Sequence, residues 1–426
     1  MVAIRNDMAS MWHLPTLMVR RAVQRTVVPL GILISEFAGS IRRAESFPEA
    51  IQISLETLRE RVGAQSIMLL DQGALPAQGI LLKRLKHYPH PLTLAPSDFE
   101  TWKRWASEFK PEHSAEIAFL ESTGARIAVP LRTKNEIVGV LLLGAPNGGD
   151  SYTPAEKQVL SNSADVFALM IENARLTDRA LEQEKLRREL ALAAEVQRRL
   201  LPPEPPLTSD ATLAAFTLPA RTVGGDYYDF LDLPDGRIGI AIADISGKGI
   251  AAALLMSVVQ ASLRVISADG DVPLSKLAER MNGFLYRSSG SNKYATFFYA
   301  QLEDRGRTLR YVNAGHNPPY LMRKSEITGL STGGTVLGLF PKVQYEEARL
   351  DLQPGDVFIA FTDGVTEALN IAGEEFGEER LKDLLRGCAG SSAEAISSKL
   401  SDRVHEWVGS AEQHDDLTVV VVAVTV

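Results

Sequence analysis

Apolar residues recur along this chain with two different periods. In "FPEAIQISLETLRERVGA" (47–64), Ile51, Leu55, Leu58 and Val62 stand three or four apart, which is the spacing of one helix face. "QSIMLLD" predicts a buried strand, and "RIAVPLRTKNEIVGVLLLG" predicts two apolar strands around a polar turn at 133–136. "YTPAEKQVLSNSADVFALMIENARL" opens with a helix-start signal, Thr153 and Pro154 with Glu156 at capping-box spacing, and runs on amphipathically. No Gly or Pro interrupts the pattern until Pro202, and Leu186, Leu190, Ala193, Gln197 and Leu200 follow the four-three spacing of a short coiled-coil seam. So charged a helix gains little unless its apolar stripe meets a partner; the spacing favours a parallel dimer stalk over a solvated connector. "PPEPPL" (202–207) breaks the helix, because each proline fixes its φ and lacks a donor. Short strands with turn signals dominate thereafter, with helical patterns near 250–265, 273–288 and 391–408.

At 426 residues, 45% of them apolar, the chain exceeds what one core fills and has material for two or three domains. Its formal charge of -8, with no basic stripe, argues against a nucleic-acid partner. The one cysteine, Cys388, excludes an intramolecular disulfide framework and a cysteine zinc cluster, and fits a reducing cytosol. "TVVPLGILIS" (26–35) is uncharged, but ten residues are half of the roughly twenty that span a bilayer. It reads as the start of a soluble helix or strand rather than a signal peptide, and the expectation is a cytoplasmic protein without a membrane segment.

The chemistry sits in "GGDYYDFLDLPDGRIGIAIADISGKG" (224–249). Two strand-like runs flank the turn signal "PDG", and Asp226 and Asp244 lie nine residues to either side of Asp235. They are therefore expected as cross-strand neighbours with Cβ atoms about 5 Å apart. Two like charges that close do not ionise comfortably without help, and a divalent cation supplies it. Near the C-terminus the strand of "DVFIAFTDGVTEA" ends at Asp363, while "HDDLTVVVVAVTV" begins with Asp415 and Asp416; paired antiparallel, these ends also meet. Successive strand residues face opposite ways, so only one of Asp415 and Asp416 is expected to face the cluster. Carboxylates without Cys or His at ligand spacing suit Mg²⁺ or Mn²⁺, and a pair of such ions binds phosphate and activates water without a covalent nucleophile.

Two resemblances sharpen this reading. Residues 41–175 resemble a GAF domain, a small sensory module with a helix before a mixed sheet and a long helix leading out. "VGGDYYDF", "ADISGKG", "NAGHNPPY", "FTDGVTEA" and "DDLTVVVV", in this order after "AAEVQRRLLPP", closely resemble the PPM-type serine/threonine phosphatases of the SpoIIE/RsbU branch. The implied organisation is an N-terminal segment (1–40), a GAF-like mixed α/β sensor (41–175), a helical linker (176–205) and an αββα sandwich of two antiparallel sheets flanked by helices (206–426). The resemblance implies two Mn²⁺ or Mg²⁺ ions and hydrolysis of phosphoserine or phosphothreonine on a regulatory protein, typically a STAS-domain anti-anti-sigma factor. By its motifs Asp244 matches the ligand bridging both metals, the Ile245 carbonyl a backbone ligand, Asp363 a ligand of the second metal and Asp415 a further ligand. Asp416 looks secondary, and Asp226 matches an acid acting near the first metal through water.

Arg221, five residues before Asp226, is a candidate phosphate clamp, since its planar fork suits a phosphate; a surface arginine is the alternative. "SGKGIAAA" lacks the Walker spacing of a nucleotide loop, and His316 in "NAGHNPPY" has no nucleophile in a partner motif and is expected to be structural. His87, His90 and His113 are expected at the surface, and Trp102, Trp105 and Phe109, at helical spacing, in a core. What the GAF-like part binds is not legible. Two functions stand against each other: a phosphatase gated by the GAF-like part through the linker, dimeric through that helix, and a non-catalytic module of the same fold that sequesters a partner protein.

Overall fold

Where the period of the apolar pattern changes, caps and glycines end the elements. Ser46 accepts a hydrogen bond from the Glu49 amide at the start of a helix that Gly63, at φ 61°, terminates. Thr153 and Glu156 cap each other: the Thr153 amide donates to Glu156 Oε2 at 2.8 Å and the Glu156 amide to Thr153 Oγ1 at 3.3 Å. The computed structural model describes residues 29–425 except 75, 77, 78, 89, 135, 269–271 and 291. Residues 26–28 of the uncharged stretch, and most of the N-terminal segment, lie outside the described residues.

The chain divides into two compact units at 184/185. The first contains α1 (Leu30–Arg43), α2 (Phe47–Val62), β1 (Ile67–Asp71), α3 (Ile80–His87), β2 (Leu92–Thr93), α4 (Pro96–Phe109), α5 (Ser114–Ser122), β3 (Ile127–Arg132) and β4 (Ile137–Leu143). It also holds the N-terminal part of α6 (Pro154–Arg198), which runs on into the second unit. The sheet order is β1-β4-β3-β2, and every pairing is antiparallel. The expected mixed sheet is thus corrected: a tight polar turn returns β4 against β3, and β1 joins β4's other edge in the opposite sense. All seven residues of β4 are buried because both faces are covered. Val138, Leu141 and Leu143 meet α1, α2 and α6 through Phe37, Leu58 and Phe167, while Val140 and Leu142 meet α3, α4 and α5 through Leu85, Trp102 and Ile117.

Of the aromatic trio, only Trp102 is core. Trp105 is 39% exposed and stacks on His113, and Phe109 is 67% exposed, since α4 presents one face inward and the other two rings lie off it. His87 and His90 are exposed as expected, whereas His113 is half-buried beneath Trp105.

The second unit contains β5 (Ala211–Leu218), β6 (Tyr227–Asp232), β7 (Ile238–Ile245), α7 (Ile250–Ser267), α8 (Leu274–Ser288), β8 (Ala295–Glu303), β9 (Thr308–Ala314), β10 (Tyr320–Arg323), β11 (Glu326–Gly329), β12 (Gly333–Gly334), β13 (Ala348–Asp351), β14 (Val357–Phe361), α9 (Asp363–Thr366), α10 (Gly377–Arg386), α11 (Ala393–Val408) and β15 (Leu417–Val424). Two sheets form, β11-β10-β14-β15-β5 and β12-β9-β8-β7-β6, with β13 also on β9. All pairings are antiparallel except the two-residue β12 against β9, a small departure from the expected all-antiparallel pair. Ile240, Ile242, Phe298, Phe358 and Val420 fill the space between the sheets. Met256, Leu263 and Leu277 of α7 and α8 cover one outer face; Leu381, Leu385, Ile396 and Leu400 of α10 and α11 cover the other. Cys388 is buried there as a small apolar residue. Among the described residues α7 alone is long and apolar enough to cross a membrane, yet its Ala252, Met256, Val259, Leu263 and Ile266 are buried in this core.

Phe298 is fully buried and stacks on Tyr311 at 5.5 Å and Phe358 at 5.7 Å, joining the two sheets. Phe298→Ala is expected to lower the unit's stability by about 3–5 kcal/mol, measured as a shift of the denaturant midpoint; a change under about 1 kcal/mol would contradict this packing.

Candidate active site

The hairpin register decides which acids meet. β6 pairs β7 from Asp232↔Ile238 to Tyr227↔Ala243, with Leu233 N–H donating to the Arg237 carbonyl across the turn. One step further along this register puts Asp226 opposite Asp244. In the other sheet β14 and β15 pair as far as Phe361↔Val419, and the Thr362 amide continues the ladder to the Thr418 carbonyl at 3.0 Å. Asp363 then starts the single turn α9, and Asp415 and Asp416 precede β15.

The acids sense one another's charge across these strand ends. Burial first, and then the charges of Asp363, Asp415 and Asp416, push the Asp244 carboxyl up to about 7. Asp226, 6% exposed, is held well above the usual carboxylate range by burial and then by Asp244. Asp363 is raised by burial and by Asp415. Asp229, on the same hairpin, is not part of this group: its carboxylate accepts from Arg264 Nε and Nη2 at 2.9 and 3.0 Å and from the Tyr227 hydroxyl at 2.7 Å.

Asp415 and Asp416 diverge. Asp416 is buried, and its oxygens accept from the amides of Ala220 (2.8 Å), Gly225 (2.6 Å) and Asp226 (3.4 Å), so it holds the 220–226 loop in place. Asp415 accepts from the Asp416 amide at 2.9 Å and ion-pairs with Lys248 Nζ at 3.0 Å. Ile245 is buried at the end of β7, with Gly225 against its carbonyl; a Cβ on Gly225 would stand 3.0 Å from that oxygen. Gly364 packs so closely that a Cβ there would collide with the Asp416 carbonyl. Arg221 is exposed, and its guanidinium reaches Gly249.

Sequence reasoning missed five contributors. Thr362 donates to Asp226 Oδ2 at 2.8 Å and accepts from the Thr418 amide at 3.0 Å, so a buried hydroxyl fixes that acid. Thr296 links Asp244's main chain to His316 Nδ1 at 2.9 Å, and burial pulls that imidazole down to about 4, leaving it neutral. His316 is thus placed behind the acids and its turn is pinned by Asn313, whose side chain bonds both the His316 amide and carbonyl. Glu367, one turn after Asp363, is raised by burial and by Asp363; its spacing in "TDGVTEA" was the available signal. Gln197 near the end of α6 grips Gly224 from both sides: Nε2 donates to the Gly224 carbonyl at 2.7 Å and the Gly224 amide donates to Oε1 at 3.1 Å.

Among the described residues no three acid, imidazole or thiol side chains already stand as a set able to hold an ion. The donors nevertheless fit a hard cation: they are all oxygens, and burial with mutual repulsion favours any added positive charge.

The model of the family Stage II sporulation protein E (SpoIIE) matches residues 234–425. Phosphoserine phosphatase RsbU of Bacillus subtilis (strain 168) is 31% identical over 242 residues, covering 56% of this chain and 71% of RsbU. The chain belongs to the SpoIIE/RsbU family of PPM-type protein phosphatases. Protein IcfG of Synechocystis sp. (strain ATCC 27184 / PCC 6803 / Kazusa) is 30% identical over 263 residues, but the chain spans only 41% of IcfG. The SiaA-PP2C domain of Pseudomonas aeruginosa, 23% identical, superposes with a TM-score of 0.50 over 57% of this chain and 98% of that domain, and shares the fold. The SpoIIE match takes in Asp244, Asp363, Asp415 and Asp416 and starts after Arg221 and Asp226.

In this SpoIIE-type unit the raised Asp244 has a stability consequence. An acid whose pKa is higher folded than unfolded lowers stability as pH rises from about 4, and the loss levels off above about 7. With metal chelated, Asp244→Asn is therefore expected to stabilise the protein by about 4 kcal/mol at pH 8 and by almost nothing near pH 4. Denaturant titrations in EDTA at both values check this; equal effects at the two would refute the raised pKa of Asp244.

Proposed function

We propose that this protein is a metal-dependent phosphatase of phosphoserine or phosphothreonine on a regulatory protein, of STAS type by family resemblance, working in the cytoplasm. The crowding of Asp226, Asp244, Asp363 and Asp415 at neighbouring strand ends carries this reading: the carboxyls of Asp226, Asp244 and Asp363 are raised by burial and by their acidic neighbours, and such groups are stable as anions only beside cations. Asp244, Asp363, Asp415 and the Ile245 carbonyl would hold the ions. When bound, two Mn²⁺ or Mg²⁺ ions supply an activated water and neutralise phosphate charge.

The chain's own residues set up that chemistry. Thr362 orients Asp226, whose carboxyl is positioned to hold or pass a proton beside Asp244. Asp416 is better read as the anchor of the 220–226 loop than as a ligand, since main-chain amides take up both its oxygens. Arg221 on that loop is an exposed fork for the phosphoryl oxygens.

Gating by the GAF-like first unit rests on α6. Its N-terminal part is buried in the first unit through Leu160, Phe167 and Ile171, and its other end supplies Gln197 to Gly224, two residues before Asp226. A dimer through α6 is supported by exposed Leu176, Leu181, Leu186 and Leu192. The predicted seam is shortened, however: α6 ends at Arg198, Gln197 turns onto its own unit, and the Leu200 carbonyl accepts from Gln260.

Full-length protein is expected to release phosphate from a phosphoseryl protein only with Mn²⁺ or Mg²⁺, and Asp244→Asn or Asp363→Asn to cut turnover by about a thousandfold or more. Stoichiometric capture of a phosphoprotein without turnover at saturating Mn²⁺ would favour a sequestering role instead. Gln197→Ala is expected to change kcat by about tenfold while leaving the unfolding midpoint within about 1 kcal/mol; an unaltered kcat would refute gating through this contact.

A further inference from the structure

Lys248 is the cation nearest the acids, and its loop aims it at them. Gly247 and Gly249 on either side adopt φ of 94° and 78°, conformations that side chains disfavour, and this turn folds the lysine back over the strand ends. Its Nζ stands 3.0 Å from Asp415 Oδ2 and also donates to the His414 carbonyl. Its charge lowers the pKa of Asp244, Asp363 and Glu367 alike, so it sits where positive charge relieves the whole group. The pair is weak: the two side chains are 43% and 40% exposed, and a solvated ion pair of this kind is readily exchanged for a stronger cation.

Lys293 makes a useful contrast. It lies against Gly247 from the other side, but its Nζ donates to the Ser246 carbonyl at 3.1 Å. It brings the same charge to the same loop without taking a carboxylate.

We propose that Lys248 is a tethered counter-ion that competes with divalent metal for Asp415, so that the metal centre assembles only when free metal is sufficient to displace it. The inference rests on the metal-dependent reading above. The Asp415 side chain is 40% exposed, so its exchange between ammonium and metal needs no opening of the buried side of the site. Gly249, the residue after Lys248, lies against the Arg221 guanidinium, so the loop that carries the lysine also borders the candidate phosphate clamp. Lys248 is thus a positioning residue that sets metal affinity.

The test is calorimetric titration of MnCl₂ into the full-length chain, its Lys248→Met and Lys293→Met variants, and Lys248→Arg. Methionine keeps an apolar stem and removes the charge. Competition predicts that Lys248→Met binds Mn²⁺ about three- to tenfold more tightly than wild type, that Lys293→Met stays within about twofold, and that Lys248→Arg is no tighter than wild type. Unchanged or weaker binding by Lys248→Met overturns the proposal, as does an equal gain in Lys293→Met, which would mark a diffuse charge effect. A wild-type chain that binds no Mn²⁺ overturns the metal-dependent function together with it, whereas wild-type binding with no Lys248→Met effect overturns this inference alone.

Discussion

Burial of carboxylates gathered at the ends of paired strands, made costlier by their mutual repulsion, constrains the second unit. A folded chain that buries Asp226 and raises Asp244 to about 7 gives up stability to do so, and the sandwich beneath makes the arrangement possible. Phe298, Phe358 and Val420 lock the sheets, leaving the strand ends little freedom to relax apart. The framework holds these acids together against the cost of burying them and against their mutual repulsion.

The two acids of "DDLT" show how one carboxylate can serve structure while its neighbour faces the solvent side of the site. Asp416 is satisfied by amides of a loop nearly two hundred residues away in sequence, which ties β15 to the segment carrying Asp226. Asp415 has no such obligation and keeps Lys248 as its partner. Division of labour between these adjacent residues follows from the bend at Asp415 just before β15, which sends the two carboxylates to different partners, rather than from any difference in their own chemistry.

Much of this was legible in the sequence, for definite reasons. The Asp226–Asp244 apposition followed from counting outward from "PDG", because an antiparallel hairpin has a fixed register once its turn is known. The capped start of α6 and the strands 127–132 and 137–143 followed from local signals of similar strength. What escaped was non-local. Nothing in "FTDG" announces that Thr362 donates to an acid 136 positions earlier, nor in "EVQRR" that Gln197 closes on Gly224. The burial of Trp102 but not of Trp105 or Phe109 also depended on which face of α4 meets β4, which helical spacing alone leaves open. The mixed sheet of the first unit was expected from the GAF resemblance alone, and the strand periodicity, which carries no direction, offered nothing to correct it.

Gly364 carries one last implication. The approach of the 363–364 backbone to the Asp416 carbonyl leaves no volume for even a methyl group, so the spacing between two acid-bearing segments is fixed by the absence of an atom. The acid cluster is therefore vulnerable at a position that holds no functional group: any side chain introduced there must wedge β14's exit from β15's entry and move the acid-bearing segments apart.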